Sequence, residues 1–318
     1  MSLVIDSITK RFGAVVALDG VTFSVEPGRI FGLLGANGAG KTTCMRIVLD
    51  ILRADSGTVT WEGRANTELP RRTWGYLPEE RGLYLRMKVI DVLSFFAALY
   101  GVPGAQATAE VDDWLERFRI PHYRDRKVEE LSKGNQQKIQ FIAAILHDPA
   151  VLIMDEPFSG LDPVNVQLLK EAFLEMRDRG KTLIFSTHQM ETVEELCESI
   201  AIIDAGSVVV SGTVREVKRA MGRQVVRLAI EGADGDGWVE QLPGVSLTRR
   251  GQDYLELQVR DGTDPGSILQ AALAHGDRVT HFEIADPSLE EVFIEHVGRP
   301  AAVEEERHLA GSGRGADR

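Results

Sequence analysis

The sequence predicts an α/β fold built on a parallel sheet and followed by a smaller α+β unit, and three stretches carry that expectation. The apolar run Ile30–Leu34 leads straight into Gly35-Ala36-Asn37-Gly38-Ala39-Gly40-Lys41-Thr42, which fits G-x-x-x-x-G-K-[ST], a phosphate-binding loop between strand and helix. The run Val151-Leu152-Ile153-Met154 is too short for a typical helix and suits a strand buried on both faces. It ends in Asp155-Glu156-Pro157. Residues 222–297 then change rhythm to β-α-β-β-α-β, the split βαβ or ferredoxin-like order.

Taken in order, short apolar runs at 3–5, 21–25, 30–34 and 57–61 read as strands, and 42–52 as the helix behind the phosphate loop. From Val89 to about Leu146 the pattern turns helical. Val92, Leu93, Phe95, Phe96 and Leu99 fall on one helical face, and Val111, Trp114, Leu115 and Phe118 on another. Segments around Val151, Thr182 and Ile200 complete the parallel sheet, 206–212 forms a closing hairpin, and the first domain is expected to span 1–221. In the second domain, 222–299, strands are expected at 225–230, 245–249, 254–259 and 279–283, a short helix at 238–242 and a longer one at 267–275. Asp286-Pro287-Ser288-Leu289-Glu290 then caps a helix ending near Val297. Residues 300–318 are charged and rich in small residues, the composition of a disordered tail.

The chemistry gathers at two strand ends. Gly35, Gly38 and Gly40, with Ala36, Asn37 and Ala39 between them, let backbone N–H groups turn inward around phosphate oxygens. The following helix, 42–52, presents its positive end, with Thr43 in its first turn, to the same anion. Lys41 then reaches the β- and γ-phosphates and Thr42 holds Mg²⁺. Carboxylates at a strand's C-terminal end sit where open α/β sheets bind ligands, so Asp155 suits a water-mediated contact to Mg²⁺ and Glu156 suits polarising an attacking water.

Between these stretches lies Leu131-Ser132-Lys133-Gly134-Asn135-Gln136-Gln137, where Ser132 as helix cap and the amide of Gly134 make a second anion site. The segment resembles the L-S-G-G-Q signature of ATP-binding-cassette (ABC) ATPases, departing from it at Lys133 and Asn135. Residues 1–221 as a whole resemble one P-loop NTPase cassette of that family, with the helical insert as its signature subdomain. Other stretches follow in the family's order. Ser159-Gly160-Leu161-Asp162 resembles the D-loop, and Ile184-Phe185-Ser186-Thr187-His188 the strand that delivers the switch histidine. Phe12, in Lys10-Arg11-Phe12-Gly13, resembles the aromatic that stacks on adenine, its alternative being a hairpin core residue. Tyr76-Leu77-Pro78-Glu79 occupies the Q-loop, with Glu79 where Gln is usual.

The resemblance implies ATP and Mg²⁺ as cofactors, with Lys41, Glu156 and His188 as the hydrolytic groups. It implies nucleotide contacts from Phe12, residues 35–43, Ser132, Gly134 and Asp162, and a metal environment of Thr42, Glu79 and Asp155. It also implies a dimer, of two copies or with a related cassette, in which Ser132 of one subunit closes over nucleotide held by the other. A separately encoded multi-span permease would dock on the helical insert and the Glu79 loop. The second domain resembles the accessory domain found after the cassette in some bacterial exporter ATPases, which points to export and, for that domain, to regulation or dimer contact.

Lys and Arg number 36 against 48 Asp and Glu, a net charge of −12. That balance favours no nucleic-acid partner, since a binder of phosphate backbones needs a basic face. The longest apolar runs, 93–99 among them, fall well short of the roughly 18 residues of a membrane span, and the N-terminus lacks a basic-then-apolar leader. The expectation is a cytoplasmic protein, peripheral on the inner face of the cell membrane. Cys44 and Cys197 have no metal spacing, and Cys44 reads as packing on the phosphate-loop helix. A soluble ABC ATPase acting on ribosomes or nucleic acid is the alternative to a transporter. Such chains usually pair two cassettes or carry long coiled-coil inserts, neither of which the sequence shows.

Overall fold

The computed structural model of the chain describes residues 2–80, 82–231, 237–251, 253–260, 262–276 and 278–298, and falls into two compact units, Met1–Ser211 and Gly212–Arg318. Residue 299 and the expected tail at 300–318 lie outside the described residues.

The first unit holds two sheets. Strands β1 (Leu3–Phe12) and β2 (Val15–Val25) pair as an antiparallel hairpin, and β4 (Ser56–Trp61) with the two-residue β5 (Arg64–Ala65) completes the sheet in the order β2-β1-β4-β5. These strands outrun the short apolar runs of the sequence because they are half-solvated: Leu3, Ile5 and Ile8 are buried while their neighbours Asp6 and Ser7 face water. Between β2 and β4 come β3 (Ile30–Leu34) and helix α1 (Lys41–Val48), which stops short of the expected end at 52.

The second sheet adds β6 (Trp74–Leu77), β7 (Val151–Asp155), β8 (Thr182–Thr187), β9 (Ser199–Asp204) and β10 (Ser207–Thr213), in the order β10-β9-β3-β8-β7-β6. The pairs β3–β8, β3–β9, β7–β8 and β6–β7 are parallel. Every residue of β3 and β7 is buried, which is why both read as unbroken apolar runs. One core joins the sheets to α1, from Leu3, Ile5 and Val21 through Met45 to Phe31, Ile153 and Ile203.

The helical insert consists of α2 (Val89–Leu99), α3 (Gly104–Arg117) and α4 (Lys133–Ile145). Val111, Trp114, Leu115 and Phe118 are all buried, as their spacing requires. The face expected on α2 divides instead: Val92 and Leu93 are buried, but Phe95 is 39% and Leu99 63% exposed. Helix α5 (Pro163–Asp178), absent from the sequence reading, follows β7. It is capped by Asp162, opened by Pro163, and buries Leu168, Leu169, Ala172, Phe173 and Met176. Rings of Trp114, Phe118, Phe141, Phe173, Phe158 and Phe185 touch in sequence across α3, α4, α5 and β8, with centroids 5.1–5.9 Å apart. Helix α6 (Met190–Leu196), also unforeseen, links β8 to β9.

In the second unit, α7 (Val214–Arg219) precedes β11 (Arg223–Glu231), β12 (Val245–Arg250), β13 (Leu255–Arg260), α8 (Gly266–His275), β14 (Arg278–Ala285) and α9 (Leu289–Val297). The unit division precedes the expected 221/222 boundary, and α7 accordingly belongs here, with Arg219 of its last turn 3.7 Å from Asp286. The antiparallel order β12-β13-β11-β14 is that of a ferredoxin-like sheet, with the expected helix at 238–242 reduced to a single 3₁₀ turn, Val239–Gln241. Its core is its own, formed by Val226, Leu228, Val239, Leu257, Val259 and Ile268.

Candidate functional site

The C-terminal ends of β3, β7 and β8, three neighbouring parallel strands, deliver the phosphate loop, the acidic pair and His188 to one place. The loop has glycine where nothing larger fits. A Cβ on Gly40, at φ +113°, would lie 2.7 Å from the Ala17 carbonyl oxygen, and one on Gly35 2.4 Å from that of Ile203. Asn37 and Gly38 form the exposed crown, Ala36 accepts from the N–H of Ala39 at 3.1 Å, and Thr43 is half-buried behind it on α1.

Lys41 is buried and donates to the Gly35 and Ala36 carbonyls at 2.8 and 3.1 Å, so its ammonium lies within the loop's curve. Burial pulls its pKa down, and the carboxylates of Glu156, Asp155 and Glu79 work against that shift. Thr42 donates its hydroxyl to Asp155 Oδ2 at 2.6 Å, and Ser186 donates to Asp155 Oδ1, so both oxygens of that carboxylate are held. Glu156 is only 8% exposed and has the left-handed φ of +47°, which side chains other than glycine rarely adopt. Nδ1 of His188 stands 3.1 Å from Glu156 Oε2, but without the alignment of a hydrogen bond, and both Glu156 oxygens are buried with no donor on them. Burial therefore raises the Glu156 pKa, offset in part by His188 and Lys41 and reinforced by Asp155.

The signature residues form a second group. Ser132 caps α4 by accepting from the Asn135 N–H at 3.3 Å, so the departures at Lys133 and Asn135 leave the cap intact. Gly134 packs on Asn165, whose amide a Cβ there would meet at 3.0 Å, and Asp162 holds Asn165 by two hydrogen bonds at 3.0 and 2.5 Å. Three polar side chains of α4 are buried, and each ends on a backbone carbonyl. Gln137 donates to Pro157 just past the acidic pair, Lys138 to Phe118, and Gln140 to Pro78 and Glu80 on either side of exposed Glu79. Gln137 and Ser186 lie within motifs the sequence shows and Asn165 and Gln140 do not, but the sequence pattern signalled the partners of none of the four, because those are set by tertiary register. Phe12 ends β1 on the antiparallel sheet. At 50% exposure, with Lys10 Nζ over its ring 5.6 Å from the centroid, it is no core residue.

Thr42 and Asp155 present oxygen donors of the kind a hard cation takes, beside a loop built for phosphate. Among the described residues no group of three His, Cys, Asp or Glu side chains converges for a metal, so phosphate oxygens and water would complete such a shell. Cys44 and Cys197 are buried free thiols, the first pushed up to about 12 by burial, which makes them packing groups and not nucleophiles. No helix among the described residues is long and apolar enough to cross a membrane.

Comparison with known proteins agrees with this geometry. The family model for ABC transporters matches residues 18–159, and that for the C-terminal domain of DrrA1-3-like ATP-binding proteins matches 212–297. The ABC transporter ATP-binding protein YhaQ of Bacillus subtilis is 46% identical over 296 residues, covering 93% of this chain and 98% of that protein. The Nod factor export ATP-binding protein I of Burkholderia thailandensis is 33% identical, covering 92% of this chain and 95% of its own length. A solved structure of an ATP-binding subunit of an ABC transporter superposes with a TM-score of 0.65 at 31% identity, over 70% of this chain and 94% of the other. The chain therefore belongs to the ATP-binding proteins of ABC transporters, and its first unit is an ATP-binding, ATP-hydrolysing cassette followed by a DrrA-like C-terminal domain.

Proposed function

We propose that this chain hydrolyses MgATP at the composite site of a dimer and passes the resulting closure and opening to a separately encoded permease, in the direction of export. The observation that carries the reading is the run of contacts from Thr42 through Asp155 to Glu156, whose unsatisfied oxygens face Lys41 and His188. Thr42, Asp155 and Glu79 are the residues that would hold Mg²⁺, which would supply charge neutralisation for the phosphates. Lys41 exchanges its loop carbonyls for phosphate oxygens when nucleotide enters. Glu156 is the acceptor that orients a water for in-line attack, and His188 stands between that carboxylate and the γ-phosphate. Ser132 and Gly134 bind the nucleotide held by a second subunit, with Asp162 and Asn165 bracing them from behind. Phe12 stacks on the base.

Support for the permease comes from the insert. Tyr84, Leu85, Phe95 and Leu99 are exposed together, and the rings of Tyr84, Phe95 and Phe96 touch at 5.5–6.3 Å. Large exposed apolar clusters mark interaction sites. Gln140 ties the nearby 78–80 loop to the signature helix, a mechanical link between such a dock and the nucleotide. Export follows the Nod factor relative. The chain then works at the cytoplasmic face of the cell membrane. Purification of the native protein from detergent-solubilised membranes tests this: a polytopic partner should come with it. Recovery wholly in the soluble fraction on ribosomes would overturn it.

A further inference from the structure

We propose that Ser186 is a positioning residue for hydrolysis, a single hydroxyl that sets the Asp155 carboxylate and the Glu156 backbone together. The inference rests on the roles just given to those two acidic residues. Strands β7 and β8 run parallel with Asp155 directly opposite Ser186, so strand register alone brings the hydroxyl to the acidic pair. Ser186 is fully buried, and no water competes for it. Its Oγ donates to Asp155 Oδ1 and accepts from the Glu156 N–H at 2.9 Å. A serine hydroxyl has one proton to give, and here it is committed to Asp155, which leaves the lone pairs for Glu156.

Each bond constrains something the reaction needs. With Thr42 on Oδ2 and Ser186 on Oδ1, both oxygens of the Asp155 carboxylate are held, which fixes its orientation beside the phosphate-loop threonine. The Glu156 N–H bond acts at the residue whose left-handed backbone turns its side chain away from the strand and toward Lys41 and His188. Such a conformation persists only where its surroundings over-determine it, and the Ser186 oxygen is the side-chain acceptor holding that amide. Thr187 cannot substitute, since successive strand residues point to opposite faces and its hydroxyl oxygen accepts from the Gln189 N–H instead.

The test compares wild type, Ser186→Ala, Ser186→Cys and Glu156→Gln in the full chain by thermal melting, steady-state turnover and equilibrium binding of a fluorescent ATP analogue titrated with Mg²⁺. Ser186→Ala should melt as a folded protein and bind the analogue normally in EDTA. Its kcat should fall about tenfold or more, and the Mg²⁺ needed for half-maximal tightening of nucleotide binding should rise several-fold. Cysteine fills the same space with a weak donor and should stay with alanine. Turnover and Mg²⁺ midpoint within about twofold of wild type in either folded variant would overturn the inference, since an alanine defect that cysteine cures marks packing alone. Glu156→Gln separates the two levels. If it turns over like wild type, the reading of the acidic pair fails and Ser186 falls with it. If it is inactive while Ser186→Ala equals wild type, only the role of Ser186 is lost.

Discussion

Glu156 is placed against its own stability. Its carboxylate is buried without a donor, its backbone is left-handed, and desolvation raises its pKa above the ordinary 4.5. A carboxyl whose folded pKa is raised contributes stability that is complete below the unfolded value and is lost as pH rises through the folded one. Glu156→Gln should therefore raise the melting temperature near pH 8, with the gain shrinking as pH falls toward about 4.5, a trend readable by calorimetry across that range. The same change removes the group proposed to orient water, so kcat should drop on the order of a hundredfold or more while ATP still binds, as single-turnover and filter-binding assays would record. Near wild-type turnover would remove Glu156 from the reaction. The sequence made Lys41, Thr42, Asp155 and Glu156 legible because their spacing along the chain is itself the chemical requirement. Ser186 and Asn165 were not legible, because a serine opposite Asp155 and an asparagine behind Gly134 acquire partners only when β7 meets β8 and α5 meets α4.

At the level of elements, α2 carries more apolar surface than its core contacts require. Phe95→Ser with Leu99→Ser should weaken retention of the permease in detergent extracts, and charge reversal at exposed Arg86 should act in the same direction. Basal ATP hydrolysis should change by less than about twofold, because none of the three side chains belongs to the phosphate loop or acidic pair. Loss of hydrolysis with intact association would place the patch elsewhere in the mechanism. In the second unit, Ser288 caps α9 by accepting from the Glu291 N–H at 3.2 Å while Glu291 returns to the Ser288 amide at 2.8 Å. Ser288→Ala should cost about 1 kcal/mol in denaturant unfolding. That cap was visible in the Pro-Ser-Leu-Glu run, as were β3 and β7 from their unbroken apolar runs. Helix α5 was equally signalled by Asp162-Pro163 and its apolar spacing. The division of α2 into buried and exposed halves could not be read, since Phe95 and Leu99 fit the periodicity of core residues whether or not a neighbour covers them.

For the molecule as a whole, Lys41 and Ser132 belong to separate contact groups within the chain, as expected if each serves a different nucleotide in a dimer. Mixing Lys41→Ala with Ser132→Arg, each inactive alone, should restore part of the activity, since heterodimers would hold one intact site. High activity of both single variants would mean that each chain works alone. On the proposed reading the two sheets also divide the nucleotide between them, and this bears on which nucleotides the enzyme accepts. On that reading Lys41 and Thr42, which follow a strand of the parallel sheet, grip the triphosphate, the first buried and the second pinned by its hydrogen bond to Asp155. The base is left to Phe12, a half-exposed ring on the antiparallel sheet, and a π-face stacks on any purine without reading its edge. Selectivity of binding energy thus resides in the phosphates, and GTP should be turned over with a kcat/KM within about tenfold of that for ATP. The cassette then takes its fuel by charge and length, and the identity of the base is set by what the cell holds in excess.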